Sequence, residues 1–460
     1  MASANTDKAR RPIVVVTGMG IVTSLGAGKA DNWEKLTAGR SGIRTIGRFP
    51  TENLKTRIAG TVDFVPIEPF CGPSLCERMG EIAAEEAVSQ AGIGGRGRFP
   101  GPLFVAVPPI EVEWLQREEL GRAARTNDAV NYDDLLRAAS EGSFRKYGPR
   151  FMFASVADRL ADTFGTQGSP ISVTTACASG ASAIQLGLEA IRRGETDAAL
   201  CIGTDGTVTP ETLIRFSLLS ALSTQNDPAE AAAKPFSKNR DGFVMAEGAG
   251  ALVLESLAAA RARGAKILGV IAGCGEMADS FHRTRSSPDG KAIIGSVRGA
   301  IDDAGLTPDD IDYINAHGTG TPENDKMEFL GASAVLGERI KDVPISSNKS
   351  MVGHTLSAAG AVEAVFTLLT LEHQRIPPTI NYQVPDPAIP LDVVPNAARD
   401  ARVTHALSNS FGFGGQNVSL VMSRDAALWR RATGAASSSP AAGAALAPPS
   451  SKRWQPPGIM

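Results

Sequence analysis

Cys177 is surrounded by unusually small side chains in the segment TTACASGAS, and the helix-like segment ASAIQLGLEAIRRG follows it. A cysteine that only packs in a core normally has Leu, Ile or Phe as neighbours, so this pattern indicates that another group approaches the thiol. If a helix begins at Ala178 or Ser179, its free N–H groups and the positive end of its dipole favour the nucleophilic thiolate. A catalytic role for a lone cysteine also requires partner groups elsewhere in the chain.

Two of the five histidines have settings typical of an active site. His317 follows the strand-like IDYI at the start of a Gly- and Thr-rich loop, in NAHGTGTPENDKMEF. His354 follows Gly353 in NKSMVGHTLSAAGA, five residues after Lys349. The remaining histidines lack such settings and are interpreted as surface or core residues; they are His282, His373 and His405.

A glycine-rich turn, SNSFGFGGQNVS, contains Phe411 and Phe413. Its glycines let the backbone approach a ligand or present N–H groups to an oxyanion. The turn precedes a strand and does not link a strand to a helix, so it does not match a dinucleotide-binding fingerprint. Together these segments indicate nucleophilic catalysis by a cysteine, assisted by imidazoles and an oxyanion site.

The chain that carries these residues alternates short β-branched runs with helical segments, which is typical of α/β layering. The first strand is predicted at Ile13–Val16, because glycines follow it. Residues 12–262 and 263–424 are predicted to be similar halves, since SPISVTTACASG and VPISSNKSMVGH share a Pro-Ile-Ser start before a polar loop. Residues 111–150 are predicted to form a surface cap inserted in the first half. The Ala/Ser/Pro-rich tail, 425–460, is predicted to be disordered.

Composition narrows the range of functions. The chain has 460 residues with a formal net charge of -3, so nothing favours a nucleic-acid groove or an anionic membrane partner. No uninterrupted apolar run approaches membrane-spanning length, so no membrane insertion is expected. The five cysteines are odd in number and scattered, and no Cys/His cluster has zinc-like spacing, so no metal site is expected. A reduced, cytoplasmic protein is the simplest interpretation.

Five ordered motifs together resemble one family. They are TTACASG around Cys177, FSKNRDGFVMAEGAG, NAHGTGTPEND around His317, NKSMVGHTLSAAGAVEA around His354, and the C-terminal GFGG. The chain resembles the β-ketoacyl-acyl-carrier-protein synthases of the elongating type I/II class, in the thiolase-like superfamily, from VVVTGMGIVTSLG to SNSFGFGGQNVSLVM. The resemblance implies a duplicated five-layered αβαβα fold and a homodimer. It also implies a 3-oxoacyl-[acyl-carrier-protein] synthase of fatty-acid elongation that needs no cofactor, because the phosphopantetheine arrives on the carrier protein.

The resemblance also implies residue roles. Cys177, His317 and His354 would form the catalytic Cys–His–His set, and a histidine at 354 favours the elongating class. Lys349 would orient the histidines with Glu363 as its ion-pair partner, and Phe413 would supply an oxyanion N–H and a gating ring. The residues expected along the substrate path are Thr319, Thr321, Phe411, Ile110 and Glu363.

Two segments depart from the family pattern. VAVPPIEVEW, which contains Ile110, replaces a Gly/Ser-rich segment, and Arg285 replaces a small hydroxyl residue. Both changes leave acyl length and carrier choice open. They therefore allow a specialised condensing enzyme for an unusual long-chain lipid or polyketide. Independently of these departures, a thiolase-like acyltransferase and a cysteine hydrolase are further alternatives. A non-catalytic chain-length partner subunit is the remaining alternative, against which the retained cysteine argues.

Overall fold

The computed structural model of this protein describes residues 5–125, 131–140, 142–427 and 429. The strands of the first half are β1 (Val14–Thr23), β2 (Gly26–Ala27), β3 (Arg44–Thr45), β4 (Ile58–Ala59), β5 (Leu103–Ala106), β6 (Ile171–Val173), β7 (Ala198–Asp205) and β8 (Gly248–Ser256). Its helices are α1 (Lys29–Thr37), α2 (Gly72–Ala91), α3 (Trp114–Ala124), α4 (Tyr132–Ser140), α5 (Ser155–Phe164), α6 (Ser179–Arg192), α7 (Pro210–Leu218) and α8 (Leu257–Ala262).

The second half continues the same numbering. Its strands are β9 (Gly269–Ala278), β10 (Tyr313–Asn315), β11 (Ile345–Ser346), β12 (Arg375–Ile376), β13 (Arg399–Asp400), β14 (His405–Phe411) and β15 (Gln416–Ser423). Its helices are α9 (Lys291–Asp303), α10 (Pro322–Leu336), α11 (Lys349–Val352) and α12 (Ala359–His373).

The two halves have the same strand order. The first half runs β1-β8-β7-β5-β6, and the second runs β9-β15-β14-β10-β11. In each half the first two pairings are antiparallel and the last two are parallel. The strands β1 and β9 pair briefly with each other and join the halves. This repeated order confirms the duplicated α/β architecture predicted from the sequence.

Three hydrophobic clusters separate five layers. One lies between α2, α5 and the first set of strands, and another lies between α9, α10 and the second set. The third surrounds α6 and α12, which pack against each other and against strands of both halves. The layers are therefore αβαβα, and α6 and α12 form the central one.

The predicted end of the first strand was wrong, because β1 continues past Val16 through two glycines to Thr23. A Cβ atom at Gly18 would lie 1.9 Å from the carbonyl oxygen of Ala87, and one at Gly20 would lie 2.0 Å from that of Ala83. The glycines therefore do not interrupt the strand. They let the backbone of α2 lie directly on it.

The segment predicted as a cap contains α3 and α4, and residues 126–130 and 141 of that segment lie outside the described residues. Large apolar side chains of these two helices are exposed to solvent in the single chain. They are Trp114, Leu115, Tyr132 and Leu136.

The predicted start of the disordered tail was wrong for its first residues. Ala426 and Trp429 are buried against the second half, and the Trp429 Nε1–H donates a 2.8 Å hydrogen bond to the carbonyl oxygen of Ala304. The large indole has apolar area to bury, which the Ala/Ser/Pro sequence after it lacks. The rest of the predicted tail from residue 430 onward, and residue 428, lie outside the described residues. Among the described helices, none is both long and apolar enough to cross a lipid bilayer.

Candidate active site

The small residues around Cys177 serve the crossing of the two central helices. A Cβ atom at Gly180 in α6 would lie 2.5 Å from the backbone nitrogen of Ala361, and one at Gly360 in α12 would lie 2.4 Å from that of Ala181. The backbones of α6 and α12 are thus in direct contact. The sequence pattern correctly indicated a close approach to this segment, but the approaching group is the α12 backbone. The contact places the chain before α6, with its thiol, beside the chain before α12, with its imidazole.

Cys177 precedes the first turn of α6, which begins at Ser179 with Ala178 as its N-cap. Its Sγ lies 3.0 Å from Nε2 of His354, and the side chain is buried. Burial raises the pKa of Cys177 to about 11, although the charge of Lys349 and a hydrogen bond from the backbone N–H of Phe413 oppose the shift. The expectation that the helix N-terminus favours a resting thiolate is therefore wrong. Desolvation outweighs the effect of the helix N-terminus, and the free protein holds a thiol at neutral pH.

The hydrogen bonds of the two histidines determine which ring nitrogen carries a proton. The backbone N–H of Leu356 donates to Nδ1 of His354 at 3.2 Å, and Nζ of Lys349 lies 3.5 Å from Nδ1 of His317. Because both Nδ1 atoms face donors, the neutral rings carry their protons on Nε2. Burial lowers the pKa of both histidines, and the charge of Lys349 lowers them further. Both rings are therefore neutral Nε2–H donors at physiological pH.

Lys349 lies behind the histidines and not along a substrate path. Its Nζ donates to the backbone oxygen of His317 at 2.7 Å and forms a buried ion pair with Glu363. The predicted pairing of Lys349 with Glu363 is present. The expectation that Glu363 lines the substrate path is wrong, because Glu363 is buried on α12 and lines neither of the cavities that reach Cys177.

The loop after β10 is held by two buried carboxyls that the sequence analysis did not single out. Glu328 accepts hydrogen bonds from the backbone N–H groups of His317 at 2.8 Å and Gly318 at 2.7 Å. Asp325 accepts from the N–H groups of Phe236 and Gly320. Burial raises the pKa of Glu328 to about 7. Both lie on α10 within the quoted motif NAHGTGTPENDKMEF, where their spacing of three residues places them on one face of a helix.

Two cavities meet at Cys177. The first has a volume of about 520 Å³ and the second about 510 Å³, and both are lined by Cys177 and Phe413. Ile110 lines the first cavity, as expected for a residue beside the acyl chain. Phe413 thus lies where a gate between two substrate chambers would have to be. The predicted substrate-path residues in the wall of the second cavity are Thr319, Thr321 and Phe411, and Arg285 joins them there.

Thr319 and Thr321 also form hydrogen bonds within the protein. Their hydroxyl groups lie 2.9 Å apart, and Oγ1 of Thr321 caps α10 by accepting the N–H of Asn324 at 3.2 Å. The ring of Phe411 lies 5.8 Å from that of His317 in an edge-on arrangement. The pair of hydroxyls therefore faces the second cavity from a fixed position.

The same three catalytic candidates could also be considered as metal ligands. Ligand atoms of Cys177, His317 and His354 lie within 4.8 Å of one another, and they are the one such group in the described ranges. A metal would need an unprotonated Nε2 on each ring. The donors at both Nδ1 atoms hold the opposite tautomer, and Lys349 adds a positive charge beside the site. The arrangement suits an anionic oxygen better than a cation.

Comparison with known proteins adds an independent line of argument. The family model described as "Beta-ketoacyl synthase, N-terminal domain" matches residues 11–70 and 120–260, and the corresponding C-terminal domain model matches residues 268–383. The chain is 39% identical over 419 residues to the tetracenomycin polyketide synthase ketoacyl synthase alpha subunit of Streptomyces glaucescens, covering 89% of this chain and 97% of that protein. It is 36% identical over 421 residues to 3-oxoacyl-[acyl-carrier-protein] synthase 2 of Staphylococcus aureus (strain N315), covering 89% and 98%.

Solved structures show the same likeness. One is a type II polyketide synthase acyl-carrier protein in complex with its ketosynthase bound to the hexaketide, with a TM-score of 0.80 and 33% identity over 90% of this chain and 100% of that one. Another is a β-ketoacyl synthase from Burkholderia phymatum STM815, with a TM-score of 0.75 and 32% identity over 90% of this chain and 99% of that one. The family-model matches cover both halves of the fold and the segments that hold the thiol and the two imidazoles.

Proposed function

The chain belongs to the β-ketoacyl synthase family, and we propose that it extends an acyl group on Cys177 by decarboxylative condensation with a malonyl thioester. One observation carries the proposal. The thiol of Cys177 and the protonated Nε2 edges of His317 and His354 converge where two cavities meet. A reaction with two thioester substrates and one enolate intermediate needs this combination of a nucleophile and two neutral donors.

The first step transfers the acyl group to the enzyme. The sulfur of Cys177 attacks the thioester carbonyl, and the resulting oxyanion accepts hydrogen bonds from the backbone N–H groups of Cys177 and Phe413. The N–H of Phe413 already reaches the thiol in the free protein. The C–S bond to the pantetheine arm then breaks. The proton that Cys177 loses ends on the released pantetheine thiol, so the exchange needs no net proton uptake.

The second step forms the new carbon–carbon bond. Cleavage of the malonyl C–C bond releases CO₂, and its electron pair becomes an enolate whose oxygen accepts the Nε2–H of His317 and of His354. Each donor contributes roughly 3 kcal/mol to stabilising this charge. The enolate carbon attacks the acyl carbonyl on Cys177, and the C–S bond breaks. Cys177 regains one proton from solvent, and the product is a 3-oxoacyl thioester two carbons longer.

The finer assignments are part of the same proposal. Both thioesters are delivered by an acyl-carrier protein, as supported by the related ketosynthase that was solved in complex with one. A homodimer is supported by β6, which lies at the edge of the sheet with Ile171 exposed. A cytoplasmic location is supported by five free cysteines, which suit a reducing compartment. The tautomers of His317 and His354 support a reaction without a bound metal.

A non-catalytic chain-length subunit is the weaker interpretation. Such a subunit has no need of a nucleophile, whereas Cys177, His317 and His354 are all present and in reach of one another. The hydrolase interpretation uses only one imidazole and leaves the second unexplained. The specialised condensing enzyme shares the chemistry proposed here and differs only in its acyl substrate.

The test mixes the protein with malonyl-carrier protein and a ladder of acyl-carrier proteins, and follows the products by mass. We expect products two carbons longer for at least one primer. A folded protein that extends no primer would contradict the proposal. Cys177→Ser serves as the matched variant: its acyl-enzyme should disappear while CO₂ release from the malonyl substrate continues. Chain extension by that variant would show that Cys177 is not the nucleophile.

A further inference from the structure

The wall of the first cavity is not uniformly apolar. Beyond the side chains next to Cys177, such as Leu356 and Phe413, it includes three glutamates and two arginines. An unbranched hydrocarbon chain bound there would remove these groups from water without giving them partners, which costs free energy. These five residues are Glu111, Glu113, Glu211, Arg117 and Arg215. The wall also contains Asp205, whose carboxyl already accepts hydrogen bonds from Thr207 and from the backbone N–H of Ser357.

A single glutamate, Glu111, forms ion pairs with both arginines. Oε2 of Glu111 accepts hydrogen bonds from Nη2 of Arg117 at 2.7 Å and from Nη2 of Arg215 at 3.0 Å. Arg215 also lies one helical turn after Glu211 on α7, but its guanidinium forms its ion pair with Glu111. Within the described ranges, Glu113 and Glu211 therefore have no cationic side chain at ion-pair distance.

The two remaining carboxyls are only partly satisfied. Oε1 of Glu113 accepts the backbone N–H of Gly72 at 2.8 Å at the start of α2, which fixes the carboxyl, and Oε2 has no hydrogen bond among the described residues. Oε1 of Glu211 is fully buried and has no hydrogen-bond partner in the described part of the chain. Burial raises the pKa of Glu113 to about 7, with the Gly72 N–H opposing the shift and the charges of Glu211 and Glu111 adding to it. A buried acceptor without a partner, such as Oε1 of Glu211, is uncommon in native proteins, and a ligand in the cavity would supply the missing donor.

We propose that Glu113 and Glu211 select acyl chains that carry a hydrogen-bond-donating group, either a hydroxyl or enol group or an ammonium group. The inference rests on the proposed function, because the cavity opens at Cys177 and is where the acyl chain must lie. The two carboxyls are specificity-determining residues. They accept hydrogen bonds from the oxygen or nitrogen on the chain, while the apolar part of the wall packs on its carbons. Chains with repeated oxygen substituents fit this wall better than saturated hydrocarbon chains.

The experiment measures the rate at which Cys177 is acylated, by intact mass, using acyl-N-acetylcysteamine thioesters of matched length. At each length the chain ends in a methyl, hydroxyl, methoxy or ammonium group. A net hydrogen bond of about 1.4 kcal/mol corresponds to about tenfold in rate, so the hydroxyl chain should exceed the methoxy chain by that factor. The ratio should peak at one length, because the Gly72 N–H fixes the carboxyl of Glu113. Comparing the chain that ends in an ammonium group with the hydroxyl chain shows whether the carboxyls prefer a nitrogen or an oxygen donor.

Two variants test whether the carboxyls cause the preference. Glu211→Leu should lower the hydroxyl-to-methyl rate ratio about tenfold and raise the rate with the methyl chain. Glu113→Gln keeps an acceptor for the Gly72 N–H and should also lower the ratio, with the thermal midpoint reporting on folding. Glu118→Gln, on an exposed ion pair with Arg122 in α3, is the matched control and should keep the wild-type ratio.

The outcomes separate this inference from the proposed function. Equal rates for hydroxyl, ammonium, methoxy and methyl chains at every length would overturn the inference while leaving acyl transfer established. A hydroxyl preference that survives in both variants would also overturn it. Failure of Cys177 to accept any chain would instead count against the proposed function.

Discussion

Removing the imidazole of His317 should separate the two steps of the reaction. The ring faces the position of the enolate oxygen, and in the first step it donates nothing to the acyl thioester. His317→Ala removes one neutral donor worth ~3 kcal/mol. At 1.36 kcal/mol per decade this corresponds to a decrease of about a hundredfold in condensation and CO₂ release. Lys349 keeps its ion pair with Glu363, and the backbone oxygen that it contacts remains, so the rest of the site stays in place.

The assay measures the two steps in the same samples. Intact mass follows acylation of Cys177 from an acyl thioester, and labelled CO₂ follows decarboxylation of the malonyl thioester. Acylation should change by no more than a few-fold. His317→Gln restores an N–H donor and should recover part of the lost rate. His373→Ala, an exposed histidine stacked on Trp33, is the control. Equal losses in both steps, or a condensation rate within a few-fold of wild type, would refute the role of His317.

Three other predictions concern the helix crossing, the buried acid and the thiol. Gly360→Val should push α6 and α12 apart, destabilise the fold by about 1–3 kcal/mol and slow condensation. Denaturant unfolding and product formation measure these effects, and an unchanged stability would contradict the close contact. Gly121→Ala is the control, because no atom lies within 4 Å of a Cβ at that position. The pKa of Glu328 is raised from 4.5 to about 7 in the fold, so the folded state binds the proton of this carboxyl more tightly than the unfolded state. The stability that the protonated carboxyl contributes is therefore lost as pH rises from 4.5 through about 7. Glu328→Gln should weaken this pH dependence of the unfolding free energy, and an identical profile would contradict the assignment. Alkylation of Cys177 by iodoacetamide should be slow at neutral pH, and its rate should increase about tenfold per pH unit up to the pKa of about 11. A rate that is already at its plateau at neutral pH would show that the helix N-terminus determines the pKa of the thiol.

The residue patterns were sufficient for the duplicated α/β architecture and for the catalytic residue types, and the five layers were implied by the family resemblance. Alternating periodicity and the repeated Pro-Ile-Ser segments predicted a duplicated α/β fold, and the strand order of both halves shows it. The positions of Cys177, His317 and His354 followed from motifs at family-like spacing, since glycine- and threonine-rich loops at element ends are recognisable without coordinates.

Other features depend on distances that no local pattern contains. The glycines after Val16 were interpreted as the end of the first strand, but Gly18 lies in that strand against the backbone of α2. The small residues after Cys177 indicated a close approach, but not that the approaching group is the backbone of α12 at Gly180. The pKa of Cys177 depends on how completely the folded chain excludes water, which a helix boundary does not reveal. The roles of Glu113 and Glu328 depend on which backbone N–H groups reach them, from Gly72 for one and from His317 and Gly318 for the other.

The central claim is that two neutral imidazoles present Nε2–H groups to the reacting atoms beside Cys177. Nitrogen-15 NMR of the protein labelled at histidine tests it most directly, with His317→Gln and His354→Gln variants to assign the signals. At neutral pH, we predict that both rings show a protonated Nε2 and an unprotonated Nδ1. A positively charged ring, or a proton on Nδ1 of either histidine, would contradict the account.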